Sequence, residues 1–393
     1  PVSASSIPSP AVIARDPRAI PRELTLSEIK DLISAFGAAA ARAKIAGFDA
    51  IELHYAHGYL VHQFISPLTN KRTDEYGGDA QGRWRFGIEI IKKVKEMAGD
   101  DFPVIVRVNG DDFLEGGLKI TDLKEMVPIL EENGVNAISV SGGTYESLDR
   151  NLSPIYYSKG EKVPLAREIK QVAKIPVITA GRINSLKMAE QIIKEGSADL
   201  VALGRPLIAD PYLVKKSLAG HPEDVRPCIY CNYCVMERVL NLMAIRCSVN
   251  AAAGREREYR ISKAEQKKKV LVVGGGPGGM EAARVAALRG HEVILYDKND
   301  RLGGQLLISS IPLAKEEHTD LVNYLSAQVK KAGVKICLGE EVTLKTIKEV
   351  NPDVVIVATG GLPLIPKIAG IEKKITVNAI EVLKGTVEVG DNV

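Results

Sequence analysis

The stretch "KKKVLVVGGGPGGMEAARVAALRGHEVILYDK" (267–298) decides how the second half of the chain folds. A β-branched apolar run ends at Gly274, Gly276 and Gly279 follow at G-x-G-x-x-G spacing, a helical stretch comes next, and Asp297 closes a second apolar run. Each part has a physical reason. The first glycine permits a tight turn, the second lets the backbone approach a pyrophosphate, and the third lets the helix pack close to the strand. The helix N-terminus offers unpaired N–H groups to the phosphates, and the carboxylate reaches a ribose hydroxyl. Three glycines alone are weak evidence. Strand, helix and acidic residue in this order predict a Rossmann-like dinucleotide-binding domain over 269–393.

Upstream, a polar, charge-mixed linker (251–268) separates this domain from a short cysteine-rich segment (227–250). There Cys228, Cys231, Cys234 and Cys247 follow a C-x2-C-x2-C-x12-C pattern. Cysteines this dense suit an iron-sulfur cubane, whereas structural zinc usually takes paired knuckles. The expectation is a [4Fe-4S] cluster, with zinc as the alternative. A disulfide framework is disfavoured because the cysteines are few, local and set in a large α/β chain. Cys337, alternating into "VKICL", reads as a core strand residue.

From 25 to 219 a short β-branched run followed by an amphipathic helical stretch repeats, the signature of a parallel sheet or barrel. The expected strands are 50–53, 104–108, 137–141, 177–179 and 200–203, with helices near 81–98, 121–133, 164–173, 184–195 and 211–218. In the opening helix Thr25 and Glu28 form a capping box, and Ile29, Leu32, Ile33 and Phe36 recur on one face. These units are too few to close an eight-stranded barrel, so the sheet is open or the chain is a fragment. Gly142, Gly143, Gly181, Arg182, Gly204 and Arg205 sit in "SGG", "AGRI" and "GRP" after successive strands, where parallel folds bind ligands and barrels grip phosphate. Ordinary βα turns would also account for the glycines.

Composition limits the partners. A chain of 393 residues, 45% of them hydrophobic, is long enough for about two or three domains with cores of their own. Its 52 basic and 49 acidic side chains nearly cancel, and no basic stripe with interleaved aromatics occurs, which argues against nucleic acid. No apolar run reaches the roughly 18 residues of a membrane span. A signal peptide is also missing, although the chain begins without a Met. Directly after the first strand lies "HYAHGYL" (54–60), which holds His54, His57 and Tyr59, with His62 just beyond. By its residues alone this cluster is either chemical or a set of satisfied loop histidines.

"HYAHGYLVHQFISPLTNKRTDEYGG" (54–78) closely resembles the segment that defines the old yellow enzyme family of FMN-dependent TIM-barrel reductases. The likeness continues through "GRWRF", "RVNGDDF", "SGG", "AGRI" and "LGRPLIADP", over residues 20–215. It implies a partial FMN-binding TIM barrel over 1–226, with further barrel strands upstream of Pro1. His54 and His57 look like the pair that binds a substrate carbonyl oxygen, Tyr59 like the proton donor, and Arg107 like the arginine beside the flavin N1 and O2 edge. Gly181, Gly204 and Arg205 resemble the phosphate grip. An enone accepting hydride develops enolate charge on oxygen, so two donors aimed there favour the transition state over the ground state. His62, His221, His291 and His318 lack such support and read as structural or exposed.

"RLGGQL" (301–306), with Gly304 and Gln305, and "VVIVATGG" (354–361) resemble the FAD domain of pyridine nucleotide-disulfide reductases, whose NAD(P)H domain would begin near Val393. The whole resembles the long-chain iron-sulfur branch that includes 2-enoate reductase, 2,4-dienoyl-CoA reductase and trimethylamine dehydrogenase. Within that branch the cysteine spacing is similar to trimethylamine dehydrogenase, while the His54 and His57 pair is similar to the carbonyl-binding reductases. The resemblance implies electron flow from NAD(P)H through FAD and a [4Fe-4S] cluster to FMN, and on to an activated C=C bond. Amine oxidation is the alternative, and an inert flavoprotein scaffold a more distant one. Substrates would be small molecules, the compartment a bacterial or archaeal cytoplasm, and a homo-oligomer is compatible with this reading.

Overall fold

The β-branched runs form one parallel sheet in each of two units, Pro1–Leu203 and Gly204–Val393. The computed structural model describes residues 1–373 and 375–390, so the last three positions of the expected 269–393 domain lie outside the described residues. No described helix is long and apolar enough to cross a membrane.

In the first unit a short parallel pair, β1 (Val2–Ser3) and β2 (Arg22–Glu23), precedes a five-stranded parallel sheet. Its strands, β3 (Ile51–Tyr55), β4 (Val104–Asn109), β5 (Ala137–Ser141), β6 (Val177–Thr179) and β7 (Leu200–Val201), lie side by side in chain order. That order is what successive βα units of a barrel produce. Leu53 pairs with Val106 and Tyr55 with Val108, and all four are buried in the core shared with the helices Leu26–Ile45 and Ala80–Ala98. Tyr55 Oη donates to Gly87 O at 2.8 Å and so ties strand to helix. The alternate residues Glu52 and His54 fall on the other face, where His54 lies beside Arg107, and Arg107 beside Ser139. The expected capping box is present: Glu28 N donates to Thr25 Oγ1 at 3.3 Å, and Thr25 N to Glu28 Oε2 at 3.0 Å.

Some boundaries differ from the sequence reading. β3 runs on to Tyr55, so His54 belongs to the strand rather than to the loop, because pairing with β4 outlasts the apolar run. β7 stops at Val201: Ala202 N still reaches Thr179 O, but Gly204 then caps a new helix, Arg205–Ala209. The helix Leu60–Ile65 is too short to show a period in sequence.

In the second unit β8 (Lys269–Val273), β9 (Glu292–Asp297), β10 (Lys335–Leu338) and β11 (Val354–Val357) form a parallel sheet in the order β10-β9-β8-β11, the arrangement of a Rossmann half. Ile229 and Val249, from the cysteine segment, pack on its core. At Gly274, with φ of 111°, a Cβ would lie 2.2 Å from Ala358 O, and one on Gly279 would lie 1.8 Å from Gly274 O. Two of the three fingerprint glycines, Gly274 and Gly279, are thus enforced by backbone contact. Gly279→Ala should force the helix Pro277–Leu288 off the strand and destabilise this unit by about 1–3 kcal/mol. Gly278→Ala, in the same helix with nothing within 4 Å of the added Cβ, should be neutral or stabilising; thermal unfolding of the two variants makes the comparison.

Candidate functional site

The chain leaves β3 through two successive left-handed residues, His57 (φ 65°) and Gly58 (φ 79°), and re-enters a helix at Leu60 with Tyr59 as its N-cap. This sharp turn folds the loop back over the strand end. The His54 ring centroid lies 5.0 Å from that of His57 and 5.1 Å from that of Tyr59. His57 N donates to Asn109 Oδ1 at 3.4 Å, and Gln63 Nε2 to Gly58 O at 2.8 Å, which hold the turn from both sides. His57 Nε2 lies 2.7 Å from Ser141 Oγ, which also accepts from Arg107 Nη2 at 3.3 Å. The expected residues His54, His57, Tyr59 and Arg107 therefore meet at one strand end.

Electrostatics sort these groups. Burial, then the charge of Arg107, lowers both imidazoles, and His57 falls to about 2. Both rings are neutral at ordinary pH, each with one N–H to donate. Tyr59 is 48% exposed and reaches solvent, while its oxygen is 3.0 Å from that of Tyr145. The buried Nε of Arg107 has no hydrogen-bond partner.

Residues not singled out in the sequence support this cluster. Asp112 is fully buried, and its Oδ1 lies 2.9 Å from His62 Nε2 and accepts from Asn109 Nδ2 at 2.8 Å. Its Oδ2 accepts from Leu118 N at 3.0 Å and Ser66 Oγ at 3.2 Å. Burial acts to raise the Asp112 carboxyl, but the His62 and Asn109 hydrogen bonds and the Leu118 N–H outweigh it and hold it below its usual value. His62 is thus structural, as expected. The signal for Asn109 and Asp112 is the polar "NGDD" directly after an apolar strand, and Ser141 opens the "SGG" noted in the sequence; nothing local marks Tyr145.

The remaining expected residues are more dispersed. At Gly142 a Cβ would meet Phe113 Cε2 at 2.9 Å, and at Gly143 it would meet Asn151 N at 2.5 Å, so packing alone accounts for both glycines. Gly181 lies against the Lys162 side chain, and Arg182, buried, donates from Nη1 to Ile155 O. Gly204 and Arg205 belong to the second unit, where the Arg205 guanidinium sits 4.8 Å over the Tyr230 ring and bonds Asn232 Oδ1. In the same unit Gly275 N donates to Asp297 Oδ2 at 2.6 Å, and Asn299 N to Asp297 Oδ1 at 2.8 Å. Gly304 approaches Gly276 closely, and Gln305 Nε2 donates to Gly361 O at 2.6 Å. Burial pushes the Cys228 thiol up to about 12 and raises Cys234, with Cys247 adding repulsion at both; the Arg205 charge opposes the shift.

Residues 2–224 match the NADH:flavin oxidoreductase / NADH oxidase family, and residues 268–386 match the pyridine nucleotide-disulphide oxidoreductases. The chain belongs to the NADH:flavin oxidoreductase / NADH oxidase family, in its enoate-reductase-like branch, with part of a TIM barrel followed by a Rossmann-like domain. It is 49% identical over 371 residues to an NADH oxidase of Thermoanaerobacter brockii, covering 93% of this chain and 57% of that protein. It is 40% identical to a cinnamate reductase of Clostridium sporogenes, covering 95% of this chain and 58% of that protein. A solved 2-naphthoyl-CoA reductase in complex with 2-naphthoyl-CoA superimposes on all of this chain and 59% of its own, with a TM-score of 0.93 and 37% identity. The chain spans a little over half the length of these relatives.

The depressed Asp112 carboxyl sets an expectation for acid. Its stabilising contribution is complete above the unfolded value of about 4 and is lost as pH falls through the lower folded value. Asp112→Asn should cost about 3 kcal/mol at pH 7, and that cost should shrink on acidification; urea denaturation between pH 7 and pH 3 measures both.

Proposed function

We propose that the chain forms the substrate-binding and electron-relaying part of an NAD(P)H-dependent ene-reductase acting on C=C bonds conjugated to a carbonyl or thioester. The convergence of His54, His57 and Tyr59, with both imidazoles neutral, carries this reading. A neutral imidazole donates its N–H without surrendering it, so the pair would stabilise an enolate oxygen rather than protonate it. Tyr59 is then left to give a proton to the α-carbon. When bound, FMN would deliver hydride to the β-carbon, supplied with electrons from NAD(P)H through FAD and a [4Fe-4S] cluster.

The residues fit those groups. The unpartnered Nε of Arg107 leaves a buried donor for the acceptor-rich edge of FMN. Gly276, where an added Cβ would meet nothing within 4 Å, opens a cradle for the FAD pyrophosphate beside Gly274, Gly279, Gly304 and Gln305, and Asp297 would take the ribose. Cys228, Cys231, Cys234 and Cys247 would hold the cluster. Three cysteines packed within seven positions, rather than paired knuckles, favour a cluster over a single zinc. We assign 1–226 to the barrel, 227–250 to the cluster and 269–393 to FAD.

A second reading, oxidation of a small amine, is favoured by the cysteine spacing alone. Anaerobic stopped-flow on full-length protein separates the two. Tyr59→Phe should slow reoxidation by an enoate by about 10² to 10⁴-fold while NAD(P)H still reduces the flavin. His57→Ala should weaken carbonyl-ligand binding and hydride transfer together. Unchanged reoxidation in both variants, with activity lost toward a methylamine, would favour the amine reading. Anaerobically purified protein should hold about four irons and four sulfides per chain, and Cys234→Ala should lose them; stoichiometric zinc would contradict the cluster.

A further inference from the structure

We infer that Tyr145 is a positioning residue for Tyr59: it donates a hydrogen bond to the Tyr59 oxygen and stabilises the negative charge left there when Tyr59 gives up its proton. This rests on Tyr59 being the proton donor. The two phenol oxygens are 3.0 Å apart, and the rings meet edge to face at 5.7 Å and 79°. In the step considered, the Tyr59 O–H bond breaks, a C–H bond forms at the substrate α-carbon, and the electron pair stays on the Tyr59 oxygen. Solvent later restores the proton, and the Tyr145 O–H bond stays intact throughout.

Two features make Tyr145 the donor rather than the acceptor. It is the more buried of the pair, and burial, followed by its bond to Tyr59, pushes its phenol up to about 12, so it keeps its proton. Its loop is also anchored. Thr144 N donates to Ser147 Oγ at 2.8 Å, and Ser147 Oγ donates to Asp112 O at 2.6 Å. Thr144 Oγ1 donates to Glu146 Oε2 at 2.9 Å, and Ser9 Oγ bonds the other oxygen of Glu146. The backbone on both sides of Tyr145 is thereby held to the buried Asp112 loop, and its hydroxyl is held toward Tyr59.

Tyr145→Phe keeps the ring and removes only the hydroxyl. In full-length holoenzyme, reoxidation by an enoate should slow about tenfold, as expected for loss of a hydrogen bond to a charged oxygen. The solvent isotope effect on that step should rise, while flavin reduction and carbonyl-ligand affinity stay unchanged. With tyrosine labelled with ¹³C at Cζ, the Tyr59 resonance, assigned by its loss in Tyr59→Phe, should shift in Tyr145→Phe at neutral pH. Adding Tyr145→Phe to Tyr59→Phe should cause no further slowing. An unshifted Tyr59 resonance, or equal slowing with and without Tyr59, would overturn the inference. Failure of the proton-donor reading has a different signature: Tyr59→Phe leaves reoxidation untouched although the two resonances remain coupled.

Discussion

The parallel register between β3 and β4 is the constraint on which the first unit depends. It sets Leu53 against Val106 and Tyr55 against Val108 on the helix side, and His54 against Arg107 on the other. A slip of one residue would exchange the two faces, burying a histidine and an arginine under the helices. The apolar side prevents this. Each fully buried valine or tyrosine contributes about 1.5–3 kcal/mol, more than a single polar contact at the strand end supplies. The helix-facing residues fix the alignment, and the opposite row is free to carry polar chemistry.

A layer of buried polar groups then converts that alignment into geometry. Asn109 links the two: one end of its amide receives His57 N, and the other donates to Asp112, which is itself held by His62 and Leu118 N. With every Asp112 oxygen engaged, the carboxylate is a fixed anchor rather than a reactive acid. Positive charge is placed with equal economy. Arg107 adds to the burial that keeps both imidazoles neutral in the first unit, and in the second Arg205 opposes the burial that raises the thiols of Cys228 and Cys234.

Much of this was legible in the sequence, for identifiable reasons. Period-two and helical periodicities locate strands and helices, and contiguous motifs locate His54, His57, Tyr59 and the fingerprint glycines. What the sequence hides is contributed by topology. Ser141 reaches His57 across 84 positions and Tyr145 reaches Tyr59 across 86, distances over which no local pattern carries information. The glycines of "SGG" have two readings. Gly142 and Gly143 sit where barrels bind ligands, and Phe113 and the Asn151 backbone also leave no room for their side chains.

The left-handed conformation of His57 narrows the residues this position can accept. Outside glycine, asparagine, aspartate and histidine are the residues enriched in that backbone region. Aspartate brings a negative charge and, when ionised, no donor, and glycine brings no side chain at all. The turn and the need for a neutral N–H therefore both favour histidine and asparagine. Exchange between these two strains the loop least, so backbone shape as well as reaction chemistry bears on how this position can evolve.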